Sequence, residues 1–151
     1  SAASDVYKRQ DIFHEQFQVH AMKMPEKVSL ICDFDALPDI FVHTDPKRVT
    51  QVLSNLISNA VKFTEVGSIR FSYRIVEKYV LVEVIDTGIG ISPQHQKAIF
   101  DRFVKVNSFK QGTGLGLTIC KTIIEALNGT IGVDSRPGEG ARFWFTLPYN
   151  G

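Results

Sequence analysis

The segment from Pro46 to Phe63 constrains the fold most, because it carries an apolar stripe with helical spacing. Thr44 or Asp45 supplies an N-cap, and proline is favoured in the first helical turn that follows it. At 100° per residue, one face of this helix collects Val49, Leu53, Leu56, Ile57 and Ala60. A helix with one apolar face must bury it against another layer, so we expect it to lie on a sheet.

The rest of the chain supplies strands for that sheet. Strands are predicted at residues 28–34, 40–43, 68–76, 79–85, 130–135 and 141–147, and further helices at 11–23, 92–103 and 115–127. Glu77-Lys78 predicts a tight hairpin, and residues 104–114, which lack a period, predict a mobile loop. Hairpins mixed with helical crossovers predict an α/β (α+β) two-layer sandwich, with one mixed β-sheet and helices packed on one face.

Composition restricts the function classes. The chain has 151 residues, of which 44% are hydrophobic, and 17 Lys+Arg against 16 Asp+Glu, as expected for one globular domain without the basic excess of a nucleic-acid-binding protein. Cys32 and Cys120 lie in apolar runs, so we expect free thiols and a reducing compartment. Since no stretch approaches about 20 apolar residues, no membrane span is expected within the chain.

A second face of the helix at 46–63 is polar. Arg48, Asn55, Asn59 and Lys62 follow one another at steps of seven, four and three residues, which stacks them beside the apolar stripe. Asparagine oxygens can bind Mg²⁺ without repelling a polyphosphate, and a lysine can contact its terminal phosphate. Taken alone, this helix is explained better as a surface helix whose asparagines bond to neighbouring backbone.

Two glycine-containing segments favour a phosphate-binding site over a plain surface helix. Asp86 ends a strand and is followed by Gly88 and Gly90, and a carboxylate at a strand end can accept a hydrogen bond from an amino group such as adenine N6. A turn capped by aspartate remains an equal alternative for this segment. Gly112-Thr-Gly-Leu-Gly-Leu precedes a helix, and amides in a glycine-rich turn at a helix N-terminus can bind phosphate.

Other phosphate and metal motifs are excluded. The sequence contains neither the P-loop pattern nor G-x-G-x-x-G, and both the H-R-D and the D-F-G sequences of eukaryotic-type protein kinases are absent. The four histidines do not combine with the cysteines at zinc-ligand spacing. No nucleophile with its own base is visible.

Four ordered segments together resemble the boxes of sensor histidine kinases. Residues 55–64 are similar to the N box, 86–90 and 112–117 to the two glycine boxes, and Ile99-Phe100-Asp-Arg102-Phe103 to the F box. The resemblance implies the Bergerat ATP-binding fold of the GHKL group, with 104–114 as ATP lid. In it, Asn59 and Asn55 would hold Mg²⁺ and phosphate, Lys62 would contact phosphate, Phe63 would flank the adenine and Asp86 would bind its N6.

The full set of site residues that the resemblance implies includes the catalytic group Asn59, Asn55 and Lys62, of which Asn59 and Asn55 are also the metal ligands. The nucleotide-binding residues are Asn55, Asn59, Lys62, Phe63, Asp86, Gly88, Gly90, Ile91, Phe103, Gly112, Thr113, Gly114, Leu115, Gly116, Leu117 and Thr146. Residues 1–24 would form an N-terminal tail and linker helix, and 25–151 the histidine kinase-like ATPase domain.

The function implied is that of the ATP-binding catalytic domain of a two-component sensor histidine kinase, an enzyme that donates the ATP γ-phosphate to a histidine in a separate dimerisation domain. A response regulator would act downstream, and the full-length protein would be a homodimer anchored in the bacterial inner membrane outside these residues, with this part cytoplasmic and itself monomeric. His14-Glu15 lacks the sequence around a phosphoacceptor, so we expect His14 to be a linker-helix residue. Ala141 stands where many relatives carry Ser or Thr.

Two alternatives from other classes remain. A GHKL ATPase that acts as an ATP-gated clamp would usually carry a glutamate on the N-box helix to activate water, where this chain has Asn55. A non-catalytic nucleotide-sensing module would lack the metal ligands, whereas both asparagines are present.

Overall fold

The computed structural model describes residues 6–91, 96, 100 and 113–149. In chain order, the elements are β1 (Val6–Lys8), α1 (Arg9–Ala21), β2 (Val28–Ile31), a 3-10 helix (Phe34–Ala36), β3 (Phe41–His43), α2 (Pro46–Phe63), β4 (Gly67–Val76), β5 (Tyr79–Asp86), α3 (Thr113–Ala126), β6 (Thr130–Ser135) and β7 (Ala141–Pro148). The predicted helix at 92–103 lies outside the described residues except for Gln96 and Phe100, and so does the predicted loop at 104–114 except for Thr113 and Gly114.

Five strands form one mixed sheet in the order β2-β4-β5-β7-β6. Strands β2 and β4 are parallel, and the remaining neighbours are antiparallel. The sequence predicted the strand at 40–43 but not its partner: β3 pairs with β1 in a separate antiparallel ribbon. Strand β1 has only three residues, which is too short for an alternating pattern to be seen in the sequence.

Alternate residues of the central strands build the core. Ile69, Phe71 and Tyr73 of β4 are buried, as are the matching residues of β5 and β7, and α2 and α3 contact these strands. From α1, the ring of Phe13 lies 5.3 Å from that of Phe71 and 4.9 Å from that of Tyr73. The two-layer α+β architecture is therefore confirmed. Helix α1 shares this core, whereas the predicted boundary at residue 24 stays a prediction.

The ends of the elements follow local signals. Asp45 is the N-cap of α2, where its Oδ1 accepts from the backbone N–H groups of Lys47 and Arg48 at 3.1 and 3.4 Å. Helix α3 begins two residues earlier than predicted and ends before Asn128, whose φ of 65° is left-handed. Strand β2 ends at Ile31, three residues before the predicted end, because a 3-10 turn follows it.

The thiols of Cys32 and Cys120 are both free, and burial raises their pKa values to about 12 and about 11. Within the described ranges, no helix combines the length and the apolar character that a bilayer span requires.

Candidate functional site

Asp86, the last residue of β5, is the most unusual polar side chain of the sheet. It lies on the helix-covered face with Val82 and Val84, and only 2% of its surface is exposed. Its Oδ1 accepts hydrogen bonds from the backbone N–H groups of Gly88 at 2.8 Å and Ala141 at 3.2 Å. Its Oδ2 is buried and has no hydrogen-bond partner among the described residues. Burial raises the pKa of Asp86, and the two N–H donors oppose that rise.

Gly88 joins this strand end to the C-terminal end of α2. A Cβ at Gly88 would lie 2.1 Å from the carbonyl oxygen of Phe63, so a side chain cannot be accommodated there. The same carbonyl accepts from the N–H of Ile89 at 3.1 Å. Backbone contact between the first glycine box and the N-box helix therefore fixes their separation.

Gly90 and Gly140 allow close backbone approach between the end of β5, the segment that follows it and the turn at 136–140. Both have left-handed φ angles, +77° and +80°, and a Cβ would approach the carbonyl oxygen of Arg136 to 2.0 Å and that of Asp86 to 2.1 Å, respectively. These contacts bring the 136–140 turn against the segment that follows β5. The end of β5 is thus held by backbone contacts, and both donors to the Asp86 carboxylate are backbone N–H groups.

Ile91 is fixed in the same way. Its N–H donates to Ser135 Oγ at 2.8 Å, and its carbonyl accepts from Gln96 Nε2 at 2.7 Å. The Gln96 amide also donates to the Ser135 carbonyl at 2.6 Å. The side chain of Ile91 is buried in the core, so this residue anchors the segment that follows β5.

The predicted phosphate-binding side chains share one face of α2 but differ in burial. Asn59 is 4% exposed, Asn55 is half-buried and Lys62 is exposed. Asn55 Nδ2 donates to Cys120 Sγ on α3 at 3.6 Å, a bond in which its Oδ1 takes no part. Arg48, in the first turn of the helix, pairs instead with the N-cap Asp45 at 3.3 Å.

Asparagine side chains can serve Mg²⁺ as neutral oxygen donors. In the part of the chain that is described, no group of three or more His, Cys, Asp or Glu side chains could hold a metal ion. Neutral amides alone suit a cation whose remaining ligands are phosphate oxygens and water, as is usual for Mg²⁺. Asn55 and Asn59 therefore fit a nucleotide-bound Mg²⁺ better than a free ion.

The second glycine box is described only in part. Gly112 and Phe103 lie outside the described residues, while Thr113, Gly114, Leu115 and Gly116 form the first turn of α3. The first amides of a helix are without intrahelical partners and favour anions. Leu117 is 1% exposed and packs in the core, which fixes the start of α3 against the sheet.

Thr146 lies away from the other predicted nucleotide-binding residues. Side chains alternate along β7, so Thr146 lies on the face opposite to Phe145, away from the helices. Its Oγ1 lies 2.7 Å from that of Thr130 on β6, and Asp86 pairs with Ala141 at the other end of the strand. The structure therefore gives no support to Thr146 as a nucleotide-binding residue.

The sequence analysis missed several residues that contact predicted site residues. Gly140 could have been found from the P-G-E-G turn, but nothing in the sequence shows that this turn reaches β5. Thr64 follows Phe63 in the N-box segment and is buried, with no partner for its hydroxyl among the residues described. The contact of Cys120 with Asn55 joins residues 65 positions apart, which no local pattern reveals.

Comparison with known proteins identifies the family of this chain. A family model described as "Histidine kinase-, DNA gyrase B-, and HSP90-like ATPase" matches residues 44–151. Sensor histidine kinase RcsC of Salmonella typhimurium is 39% identical over 130 residues, which cover 83% of this chain and 14% of RcsC. Sensor histidine kinase GacS of Pseudomonas protegens is 46% identical over 112 residues, 68% of this chain and 12% of GacS.

Solved structures show the same fold. The catalytic domain of histidine kinase ThkA is 30% identical with a TM-score of 0.81, and the match covers 96% of this chain and 95% of that domain. Full-length ShkA in complex with AMPPNP is 29% identical with a TM-score of 0.84, over 97% of this chain and 31% of ShkA. The chain therefore belongs to the histidine kinase-, DNA gyrase B- and HSP90-like ATPase family, as an ATP-binding domain of the histidine kinase type.

Proposed function

We propose that this chain is the catalytic domain of a two-component sensor histidine kinase, which binds Mg-ATP and donates the γ-phosphate to a histidine in a separate dimerisation domain. The observation that carries the proposal is the buried Asp86 Oδ2, an acceptor with no partner among the described residues. An ionised carboxylate only accepts hydrogen bonds, so its complement is an amino group such as N6 of adenine.

The base lies, in this proposal, against the segment that follows β5. Gly88 and Gly90 carry no side chains that would keep a flat ring away, and the backbone bonds of Asp86 orient its carboxylate before the nucleotide binds. Phe63 is assigned to the same end because its carbonyl receives the Ile89 N–H. Recognition of the base would then require little rearrangement, which favours affinity.

The phosphates extend from there along α2. Asn59 and Asn55 are the proposed ligands of Mg²⁺, and the ion would supply charge neutralisation to the transferred phosphoryl group when bound. Lys62 adds a positive charge, and the first amides of α3 add dipoles directed at phosphate oxygen. Gly112, Gly114 and Gly116 are the proposed hinge of a lid over 104–114, which would exclude water.

The phosphoacceptor lies outside this chain in our proposal. His14 belongs to α1, where its ring stacks on Phe34 with centroids 3.9 Å apart, and α1 is packed on the domain itself. The chain spans about 14% of RcsC and 12% of GacS, so further domains of a longer protein would supply the histidine. A response regulator as the next acceptor, a homodimeric full-length protein, a cytoplasmic location and a membrane anchor outside these residues belong to the same proposal.

A calorimetric titration of the purified domain with Mg-ATP tests nucleotide binding, and Asp86→Asn tests the assignment of the base. The asparagine keeps an oxygen for the Gly88 and Ala141 donors but presents a second donor to N6, so ATP should bind about 10- to 100-fold more weakly. Inosine triphosphate, whose C6 oxygen is an acceptor, should lose less affinity. No binding of ATP at millimolar concentration would overturn the proposal.

Transfer is tested with γ-labelled ATP and a separately produced dimerisation domain from a relative such as RcsC. We expect label on the histidine of that domain and none on His14. Release of inorganic phosphate without any acceptor would favour an ATP-gated clamp, and binding without transfer or hydrolysis would favour a nucleotide-sensing module. Asn55 at the position where a clamp ATPase carries a glutamate argues against the first of these.

A further inference from the structure

Asn55 is one of the two proposed Mg²⁺ ligands, and its side chain has two ends of nearly the same shape. An amide carries an oxygen at one end and an NH₂ donor at the other, and only the oxygen can bind a cation. The Nδ2 of Asn55 donates to Cys120 Sγ on α3 at 3.6 Å, and no other hydrogen bond joins this side chain to the described residues. The contact with sulfur is therefore the interaction that distinguishes the two ends of the amide.

The sulfur of Cys120 is held in place by the core. The residue is fully buried, and Leu117 and Ile124, about one turn to either side of it on α3, are buried as well. Helices α2 and α3 contact each other. Because a packed interior leaves little room for rearrangement, Sγ is a fixed point against which the half-buried amide of Asn55 is oriented.

The two asparagines of α2 differ in how they are restrained. Asn59, one turn after Asn55, is 4% exposed, so packing limits the rotation of its side chain. Asn55 is only half-buried, and packing restricts its amide less. If the amide of Asn55 turned over, it would present an NH₂ donor to a cation. The bond to sulfur therefore matters most at Asn55.

We propose that Cys120 is a positioning residue for Asn55: its sulfur accepts from Nδ2 and so leaves Oδ1 as the end available to a nucleotide-bound Mg²⁺. The inference rests on the proposed function, in which Asn55 is a metal ligand. Cys120 itself touches neither the nucleotide nor the ion in this account. A substitution at Cys120 should therefore change the Mg²⁺-dependent part of ATP binding and leave the rest of ATP binding unchanged.

The test measures ATP binding to the purified domain by calorimetry, once with excess Mg²⁺ and once with EDTA, so that each protein is its own reference. Wild type should bind ATP more tightly with Mg²⁺. Cys120→Ala, which removes the acceptor, should reduce that gain about fivefold, as expected for the loss of one hydrogen bond. ATP binding in EDTA and adenosine binding should both stay within about twofold of wild type.

Two further variants separate the hydrogen bond from the packing of Cys120. Cys120→Val fills the space without offering an acceptor, so it should lose the gain from Mg²⁺ as Cys120→Ala does. Cys120→Ser retains an acceptor at the same position and should keep the gain within about twofold of wild type. A gain as small in Cys120→Ser as in Cys120→Ala would overturn the inference.

A double-mutant cycle tests whether Cys120 acts through Asn55. Asn55→Ala should reduce the gain from Mg²⁺ at least as much as Cys120→Ala does. Adding Cys120→Ala to Asn55→Ala should then change the gain by no more than about twofold, because the amide to be oriented is absent. Effects that simply add in the double variant would show independent roles and overturn the inference.

The remaining outcomes separate this inference from the proposed function. Equal weakening of ATP binding with Mg²⁺ and with EDTA in Cys120→Ala would show a purely structural role and overturn the inference. If wild type gains affinity from Mg²⁺ and Asn55→Ala reduces that gain, but the Cys120 variants do not, only this inference fails. If Mg²⁺ makes no difference to wild type, the metal assignment fails together with this inference. If wild type binds no ATP, the proposed function fails first.

Discussion

The two ends of the proposed nucleotide site are built differently. The base end, formed by Asp86, Gly88, Gly140 and Ala141, is held by backbone contacts, and the side chain of Asp86 is almost fully buried. The phosphate end combines the first turn of α3 with the side chains of Asn55, Asn59 and Lys62, which share one face of α2 and range from buried to exposed.

This difference predicts that the base end determines which nucleotide binds and that the phosphate end determines phosphoryl transfer. The Asp86 carboxylate is bonded to backbone N–H groups, so it cannot move unless the strands move. The base end should therefore tolerate no added atoms, and nucleotide-base recognition there should be insensitive to salt. Side chains on a helix face depend on the charge of the ligand and of Mg²⁺, so the phosphate end should respond to charge and ionic strength. Each prediction below affects one end and uses the other as its reference.

The largest effect is expected from Asn59→Asp at the phosphate end. The substitution adds a buried negative charge where we propose that phosphate and Mg²⁺ meet, and we expect phosphoryl transfer to fall by at least about 1000-fold. Binding of adenosine, which has no phosphate, should stay within about threefold because the base end is unchanged. Ser58→Asp places the same charge one residue away on α2 and is the control. Transfer at wild-type rates in Asn59→Asp would contradict the metal assignment.

Gly88→Ala should be the most damaging change at the base end. Its Cβ would lie 2.1 Å from the Phe63 carbonyl oxygen, so either α2 or the segment after β5 must shift, at a cost of about 3 kcal/mol of unfolding free energy. Gly138→Asn is the matched control, because Gly138 also has a positive φ but no atom lies within 4 Å of its Cβ position. Chemical denaturation measures both variants. An equal loss in the two would argue against close backbone packing at Gly88.

Lys62→Met should have a smaller effect that depends on salt. Lys62 is exposed, so its contribution to ATP binding should be about fivefold at low ionic strength, with no effect on adenosine. Raising the salt from about 0.05 M to about 0.5 M should remove most of that difference. The weakening caused by Asp86→Asn should persist at both concentrations, as expected for a buried hydrogen bond. A salt-independent effect of Lys62→Met would contradict its assignment as a point charge.

The smallest expected effect is on stability, and its sign is opposite to that on binding. Burial raises the pKa of Asp86, so folding favours the protonated carboxyl and the ionised form at neutral pH destabilises the domain. Asp86→Asn cannot ionise, and its Tm at pH 7 should exceed that of wild type by roughly 2 °C. The difference should shrink as the pH falls through the raised pKa of the folded state and disappear below about pH 3, where the wild-type carboxyl is protonated in both states. A lower Tm for Asp86→Asn at neutral pH would contradict this account.

The sequence predicted the periodic parts of the molecule. The apolar stripe of α2, the β4–β5 hairpin and the C-terminal strands were found because their periods reflect burial on one face. Asp86 and Gly88 were found because a carboxylate at a strand end is followed by glycines, and the known set of boxes then favoured a binding site over a turn. What could not be predicted depends on contacts between distant segments: the pairing of β1 with β3, the position of Gly140 against Asp86, and the orientation of Thr146 away from the site.

Thr64 illustrates the limit most clearly. In the sequence it is one more threonine after a helix, and only the structure shows that it is buried beside Gly88, with no partner for its hydroxyl in the part of the chain that is described. Thr146 shows the reverse case, since a residue of the right type was assigned to the site although strand alternation directs it to the other face.

The most direct test of the central claim is a calorimetric titration of the domain with ATP and with purine riboside triphosphate, which lacks the 6-amino group, at equal Mg²⁺. If Asp86 Oδ2 accepts from that amino group, ATP should bind at least about tenfold more tightly. Equal affinities for the two nucleotides would contradict the assignment of Asp86 as the residue that recognises the base.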